Sequence, residues 1–184
     1  MNQLKKALKT FIPWLEKKHI PYMVFGGLAV SVYGTPRQTF DIDIKLSIPT
    51  QAKREKFISD LKKTAHILSD KPLHFIKETG VLPVEAHKVR IDLVFAELPF
   101  EHQAISRSVP VRMFGMEVRI CNAEDLIIHK AISVRQKDWL DIESVISQQK
   151  QHLDWDYLLH NCQELALFLE RPSIIQRIKD LQHG

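Results

Sequence analysis

The chain has 184 residues, 45% hydrophobic and 26% charged, with 6 Gly and 9 Pro, a globular composition that excludes wholesale disorder, fibrous repeats and a long multidomain array. A formal net charge of +4 is too mild to indicate nucleic-acid binding by itself. Basic residues nevertheless predominate up to Lys137 and acidic ones from Asp138 onward, a polarity that can draw an anionic ligand to one side.

In chain order, Leu4, Leu8, Phe11, Ile12 and Leu15 recur at helical spacing among lysines and predict an opening amphipathic helix, with Pro13 as a candidate kink. Tyr22-Met23-Val24-Phe25 reads as a buried strand halted by Gly26-Gly27 and turned into a helix from Leu28 to Tyr33, which Gly34 ends. Phe40-Asp41-Ile42-Asp43-Ile44 alternates apolar and acidic residues and predicts a strand with two unlike faces. A surface helix is expected from Thr50 to Ala65, then strands at Leu73–Ile76, Val81–Glu85 and Val89–Phe95, the last two joined at His87-Lys88. Val109–Phe114 and Met116–Ile120 form a hairpin pattern about Gly115. From a cap at Asn122 the pattern is helical, with segments near 123–136, 138–149, 154–169 and 172–182. Mixed elements followed by helices alone predict an α+β fold: a small mixed sheet flanked by helices over residues 1–121, and a helical C-terminal part over 122–184.

The period of a strand puts Asp41 and Asp43 on one face, and in Val89–Phe95 it sets Asp92 opposite Ile91, Leu93 and Phe95. If the two strands pair, three carboxylates share a surface. Like charges about 4 Å apart repel by roughly 4 kcal/mol at an effective dielectric near 20, against a whole-domain stability of about 5–15 kcal/mol. Such a cluster calls for cations, protons or basic partners, and hard oxygen donors with room for phosphate suit magnesium. Gly26-Gly27 at a strand-to-helix junction can bring main-chain amides and a helix N-terminus against phosphate oxygens.

The run Phe25-Gly26-Gly27-Leu28-Ala29-Val30 through Thr39-Phe40-Asp41-Ile42-Asp43 resembles the signature of the DNA polymerase beta nucleotidyltransferase superfamily, and Asp92 matches the third acid. Residues 123–131 and Arg135-Gln136-Lys137-Asp138-Trp139-Leu140-Asp141 resemble its AbiEii and MenT-like branch, which includes toxins of toxin-antitoxin and phage-defence systems. The resemblance implies transfer of a nucleoside monophosphate from a nucleoside triphosphate, ATP among the candidates, with pyrophosphate released. It implies two magnesium ions on Asp41, Asp43 and Asp92, with Asp92 also a candidate base, and Gly26 and Gly27 contacting the β- and γ-phosphates. Gly27 stands where many relatives carry serine. The acceptor is open: tRNA or another RNA, a protein or a small molecule, with a cognate antitoxin as a further partner.

Arg37 and Thr39 lie just upstream of the acidic pair, where a guanidinium can clamp a phosphate or simply be solvated. Lys130 falls between Leu126 and Val134 in an apolar helical sector and needs a partner; the resemblance makes that a nucleotide phosphate or a site acid. Asp138 and Asp141 can cap the next helix or pair with Lys130 or Arg135, and the resemblance makes Lys130 a candidate catalytic residue and Asp138, with Arg37 and Thr39, a candidate nucleotide-binding residue. Cys121 and Cys162 form no CxxC pair, and the nine histidines show no zinc spacing. No run approaches the roughly 20 apolar residues of a membrane helix, so a cytoplasmic protein is expected. A non-catalytic nucleotide- or partner-binding module of the same fold, and a two-metal nuclease, are the rival readings.

Overall fold

The computed structural model describes residues 2–183, and these cluster into two compact units. The first takes the chain up to Leu28 together with Gln38–Cys121; the second takes Ala29–Arg37 with the residues from Asn122 onward.

All seven strands belong to the first unit: β1 (Tyr22–Phe25), β2 (Asp41–Leu46), β3 (His66–Ile67), β4 (Val81–Ala86), β5 (Val89–Phe95), β6 (Val109–Met113) and β7 (Met116–Ile120). They form one mixed sheet in the order β3-β4-β5-β2-β1-β7-β6. β2 lies antiparallel to β1 and parallel to β5. One face carries Ile42, Ile44, Leu46, Ile91, Leu93 and Phe95, all buried, as the alternation requires. Helix α1 (Asn2–Lys17) buries Ala7, Leu8, Phe11, Ile12 and Leu15 in one stripe. Trp14 bridges Phe11 and Phe57 at centroid distances of 5.4 and 5.5 Å, and Phe57 meets Phe95 edge-on at 6.1 Å, so α1 and α3 (Gln51–Leu61) join the sheet through aromatic contacts.

Several expectations are corrected. Leu73–Ile76 is helical, within α4 (Pro72–Thr79). Pro72 is pre-set for a first helical turn and Gly80, at φ +70°, closes it in the left-handed region. Leu73 and Ile76 are spaced by three, and Ile76 is buried. Helix α5 (Pro99–Arg107) and the edge strand β3 carried no expectation. In α5 the signals are Pro99 at the first turn and Glu101, whose carboxylate accepts the amides of Glu97 and Leu98 at 2.8 and 3.0 Å. The helix expected over Thr50–Ala65 stops at Leu61, with Thr50 as its cap. Helix α2 (Gly26–Tyr33) starts two residues earlier than expected, directly at the diglycine.

The second unit contains the remainder of α2, α6 (Ala123–Ala131), α7 (Gln136–Gln149), α8 (Trp155–Phe168) and α9 (Ser173–His183). The helix expected over 123–136 ends at Ala131, and Val134, placed in the apolar sector from sequence, is 81% exposed. Side chains satisfy the carbonyls where α6 stops: Arg171 donates to Ile132 at 2.6 Å and the Trp139 indole to Ser133 at 3.3 Å. Asn122 caps α6 by accepting the Asp125 amide at 3.1 Å. Leu126, Ile127, Ile128, Trp139, Ile142, Leu158 and Ile174 are buried. Gly34 lies against α7, where an added Cβ would sit 2.8 Å from Ser144 Oγ. Among the described residues, no helix is long and apolar enough to cross a membrane.

Candidate active site

In the first unit, the parallel register of β2 and β5 sets Asp43 beside Asp92 and Asp41 beside Arg90. Paired residues on neighbouring strands point to the same face, so Asp41, Asp43, Arg90 and Asp92 share one surface, opposite the buried isoleucines. That surface is open enough for a ligand: Asp41 is exposed, Asp43 half-buried, and the Asp92 side chain 21% exposed.

The diglycine reaches this surface through β1, where Phe25 is the register partner of Asp43. Gly26 follows at φ +62°, a conformation that costs an L-residue about 1–2 kcal/mol. An added Cβ would also overlap the Asp43 carboxylate, 2.6 Å from its Cγ. Both constraints demand glycine here, one torsional and one steric. The first amides of α2 therefore begin beside Asp43, at the end of a helix that favours negative charge.

Each flanking acid has a donor. Thr39 Oγ1 donates to Asp41 Oδ1 at 2.8 Å, and Arg90 Nε donates to Asp92 Oδ1 at 2.9 Å. Among the described residues no three His, Cys, Asp or Glu side chains are gathered as a metal cage; the register aligns the three aspartates, while the Asp41 and Asp92 carboxylates take Thr39 and Arg90 as partners. The donor set still suits a hard divalent cation: carboxylate oxygens on adjacent strands about 4.8 Å apart, on one partly exposed face.

Further along the same face of β2, Lys45 is buried, pairs with Glu101 of α5, and stands 5.6 Å over the Phe25 ring. Burial pushes the Glu101 carboxyl up most strongly, but the Lys45 ammonium and the Leu98 and Glu97 amides outweigh it and hold the group below the usual carboxylate range. Sequence reasoning missed Lys45 and Arg90. Both were visible as continuations of the alternating pattern, Asp41-x-Asp43-x-Lys45 and Arg90-x-Asp92.

The other expected residues lie in the second unit and form an ionic network. Lys130, 8% exposed at its side chain, donates to Asp138 at 2.8 Å and Asp141 at 2.7 Å. Arg37 grips Asp141 with Nε and one terminal nitrogen at 2.7 and 2.8 Å, and Arg135 donates to Asp138 at 2.7 Å. Asp138 and Asp141 are not helix caps. Arg135 is the N-cap of α7, Asp138 stands in its first turn, and Asp141 lies one turn inside. Burial pushes Asp138 up most strongly, yet donors on Lys130, Ser133 and Arg135 bring it down to about 2. Asp141 is lowered too, its burial outweighed by Arg37 and Lys130.

Solved structures share the architecture. A lincosamide antibiotic adenylyltransferase, LnuA with lincomycin bound, matches at a TM-score of 0.53 with 17% identity, over 77% of this chain and 96% of that one. The antibiotic-resistance factor ANT(2'')-Ia matches at 0.57 with 15% identity, over 99% and 96%. An antigenic nucleotidyltransferase-like protein from Paracoccidioides brasiliensis matches at 0.56 with 15% identity, over 97% and 93%. At such low identity the superpositions show a shared fold and nothing more. No curated protein is similar in sequence. A family profile described as uncharacterised nucleotidyltransferase matches residues 2–171, so the chain belongs to that nucleotidyltransferase family.

Proposed function

We propose that the protein transfers a nucleoside monophosphate from a nucleoside triphosphate to an acceptor hydroxyl, releasing pyrophosphate, with Asp41, Asp43 and Asp92 as the metal-binding acids. The observation that carries this reading is the β2–β5 register, which sets Asp43 beside Asp92 on the surface where the diglycine turn ends. A bound magnesium pair would neutralise the triphosphate and stabilise the attacking and leaving oxygens. The chain's own residues do the rest. In this reading the amides of Gly26 and Gly27 bind the β- and γ-phosphates, Thr39 orients Asp41, and Asp92 takes the acceptor proton. Lys130, Asp138 and Arg37 are assigned to holding α6, α7 and the 29–37 segment together through their ion pairs.

For the acceptor, the reading extends to hydroxylated compounds, as with the adenylyl-2''-tobramycin of an ANT(2'')-Ia complex, and to RNA. A toxin role is the finer reading, supported by the resemblance of residues 123–141 to the AbiEii and MenT-like branch. The purified chain, given each α-labelled nucleoside triphosphate with magnesium and a panel of RNAs and small hydroxylated compounds, is expected to label one acceptor class. D43N is expected to abolish labelling while melting as the parent does. Undiminished transfer by D43N would falsify the proposal. Nucleotide binding by calorimetry with no product from any acceptor would favour the binding-module reading instead.

A further inference from the structure

Arg90 stands among acids on the face that carries Asp41, Asp43 and Asp92. On β5 it is the register partner of Asp41 on one side and of Glu85 on the other, and it stands two residues from Asp92, whose carboxylate it holds at 2.9 Å. Two further acids, Asp41 and Glu85, thus flank Arg90 in register on the same face, while its guanidinium, on a side chain 58% exposed, pairs with Asp92. Fixed carboxylates at this spacing repel unless a positive charge lies among them, and Arg90 supplies one on the face proposed to bind divalent metal.

The geometry points to Arg90 as a positioning residue that competes with the divalent cation for Asp92. In the metal-free protein its guanidinium holds Asp92 Oδ1; metal loading through that oxygen opens the pair, and the swung-out, exposed side chain is then a donor for substrate phosphate oxygens. The inference rests on the reading that Asp41, Asp43 and Asp92 form the metal site. Opening such a pair is cheap, because an ion pair with one largely exposed partner contributes little. The pair thus tunes metal affinity without blocking it.

The test is Mn2+ binding to the intact chain, followed by electron paramagnetic resonance of the free ion, for the parent, R90Q, R90K and D92N. R90Q removes both the competing donor and a nearby positive charge, so its affinity is expected to tighten by roughly three- to tenfold, the pair's contribution plus screened repulsion. R90K keeps the charge and is expected to stay near the parent, and D92N to bind more weakly than either. Equal affinity in R90Q and the parent, with D92N still weakened, overturns the competition while leaving the metal site standing. Binding undetectable in the parent and in R90Q sinks the underlying site as well. Thermal melts of the four proteins separate these outcomes from misfolding, since a mostly exposed arginine is dispensable for packing.

Discussion

Asp138 shows how a single carboxylate reports its surroundings. Its pKa of about 2 lies below the ordinary value of 3.8 because three donors outweigh burial. A group depressed on folding stabilises fully above its unfolded pKa and loses that contribution as pH falls through the folded one. Asp138 should therefore contribute on the order of 2 kcal/mol at neutral pH, declining from about pH 5 towards pH 2. Urea unfolding of the parent and D138N across that range is expected to show a gap that closes with acidification; a constant gap would assign the effect elsewhere. At this scale the sequence was legible where periodicity governs. The alternation around Asp41 and Asp43 put both acids on one face, as the register shows, whereas for Asp138 and Asp141 the spacing left helix capping and pairing with Lys130 or Arg135 both open, and the structure has the pairing with Lys130. What escaped was which partner each charge takes. Arg37 binds Asp141, 104 residues away in sequence, and no local pattern encodes so distant a contact.

Among the elements, α5 and β2 are joined by a buried ion pair. Lys45 and the Glu101 carboxylate meet where both are nearly enclosed, at 4% and 12% side-chain exposure. Glu101 also takes the two amides that open α5. K45M should cost about 3–5 kcal/mol, because it strands a buried carboxylate. The double variant K45M/E101Q should recover a substantial part of that loss, since the neutral amide carbonyl still accepts the two N–H groups. Denaturant midpoints of the two proteins provide the comparison, and equal losses would show that packing of the lysine stem, not charge, is what matters. Helix α5 was illegible for a related reason. It is short and its start is fixed by Pro99 with a glutamate two residues on, a weaker signal than a Ser or Thr cap. Helix α4 was misread because Leu73–Ile76 is a short apolar run that fits either period until Pro72 and Gly80 are weighed as its ends.

On the scale of the whole molecule, the order of elements suggests a boundary at residues 121 and 122, where the second unit's run of helices begins, but that unit also takes a segment from earlier in the chain. Ala29–Arg37 clusters with the helices from Asn122 onward. Gln149 donates to the Tyr33 carbonyl at 3.0 Å, Thr35 donates its amide to Ser144 at 2.5 Å, and Arg37 grips Asp141. A fragment of residues 122–184 lacks all three partners and leaves the Asp141 carboxylate with Lys130. It is expected to show helical circular dichroism without a cooperative melt, whereas a fragment joining 29–37 to it by a flexible linker should regain cooperativity. A sharp transition in the shorter piece would mean that the inserted segment is dispensable. The order of strands then helices made the class of fold readable, yet a nine-residue exchange between units leaves no trace in hydrophobic periodicity.

The pairing of β2 with β5 has an evolutionary corollary. Side chains alternate across a sheet, so a single-residue insertion between Val89 and Asp92 would evert the third acid into the isoleucine layer and bring an aliphatic residue to the surface in its place. Lengthening of the long excursion from Ser47 to Lys88 leaves that ladder in phase. Insertions there, outside β4, are expected to remodel whatever approaches the acids without shifting them, while the short stretch around Arg90 tolerates no change of length.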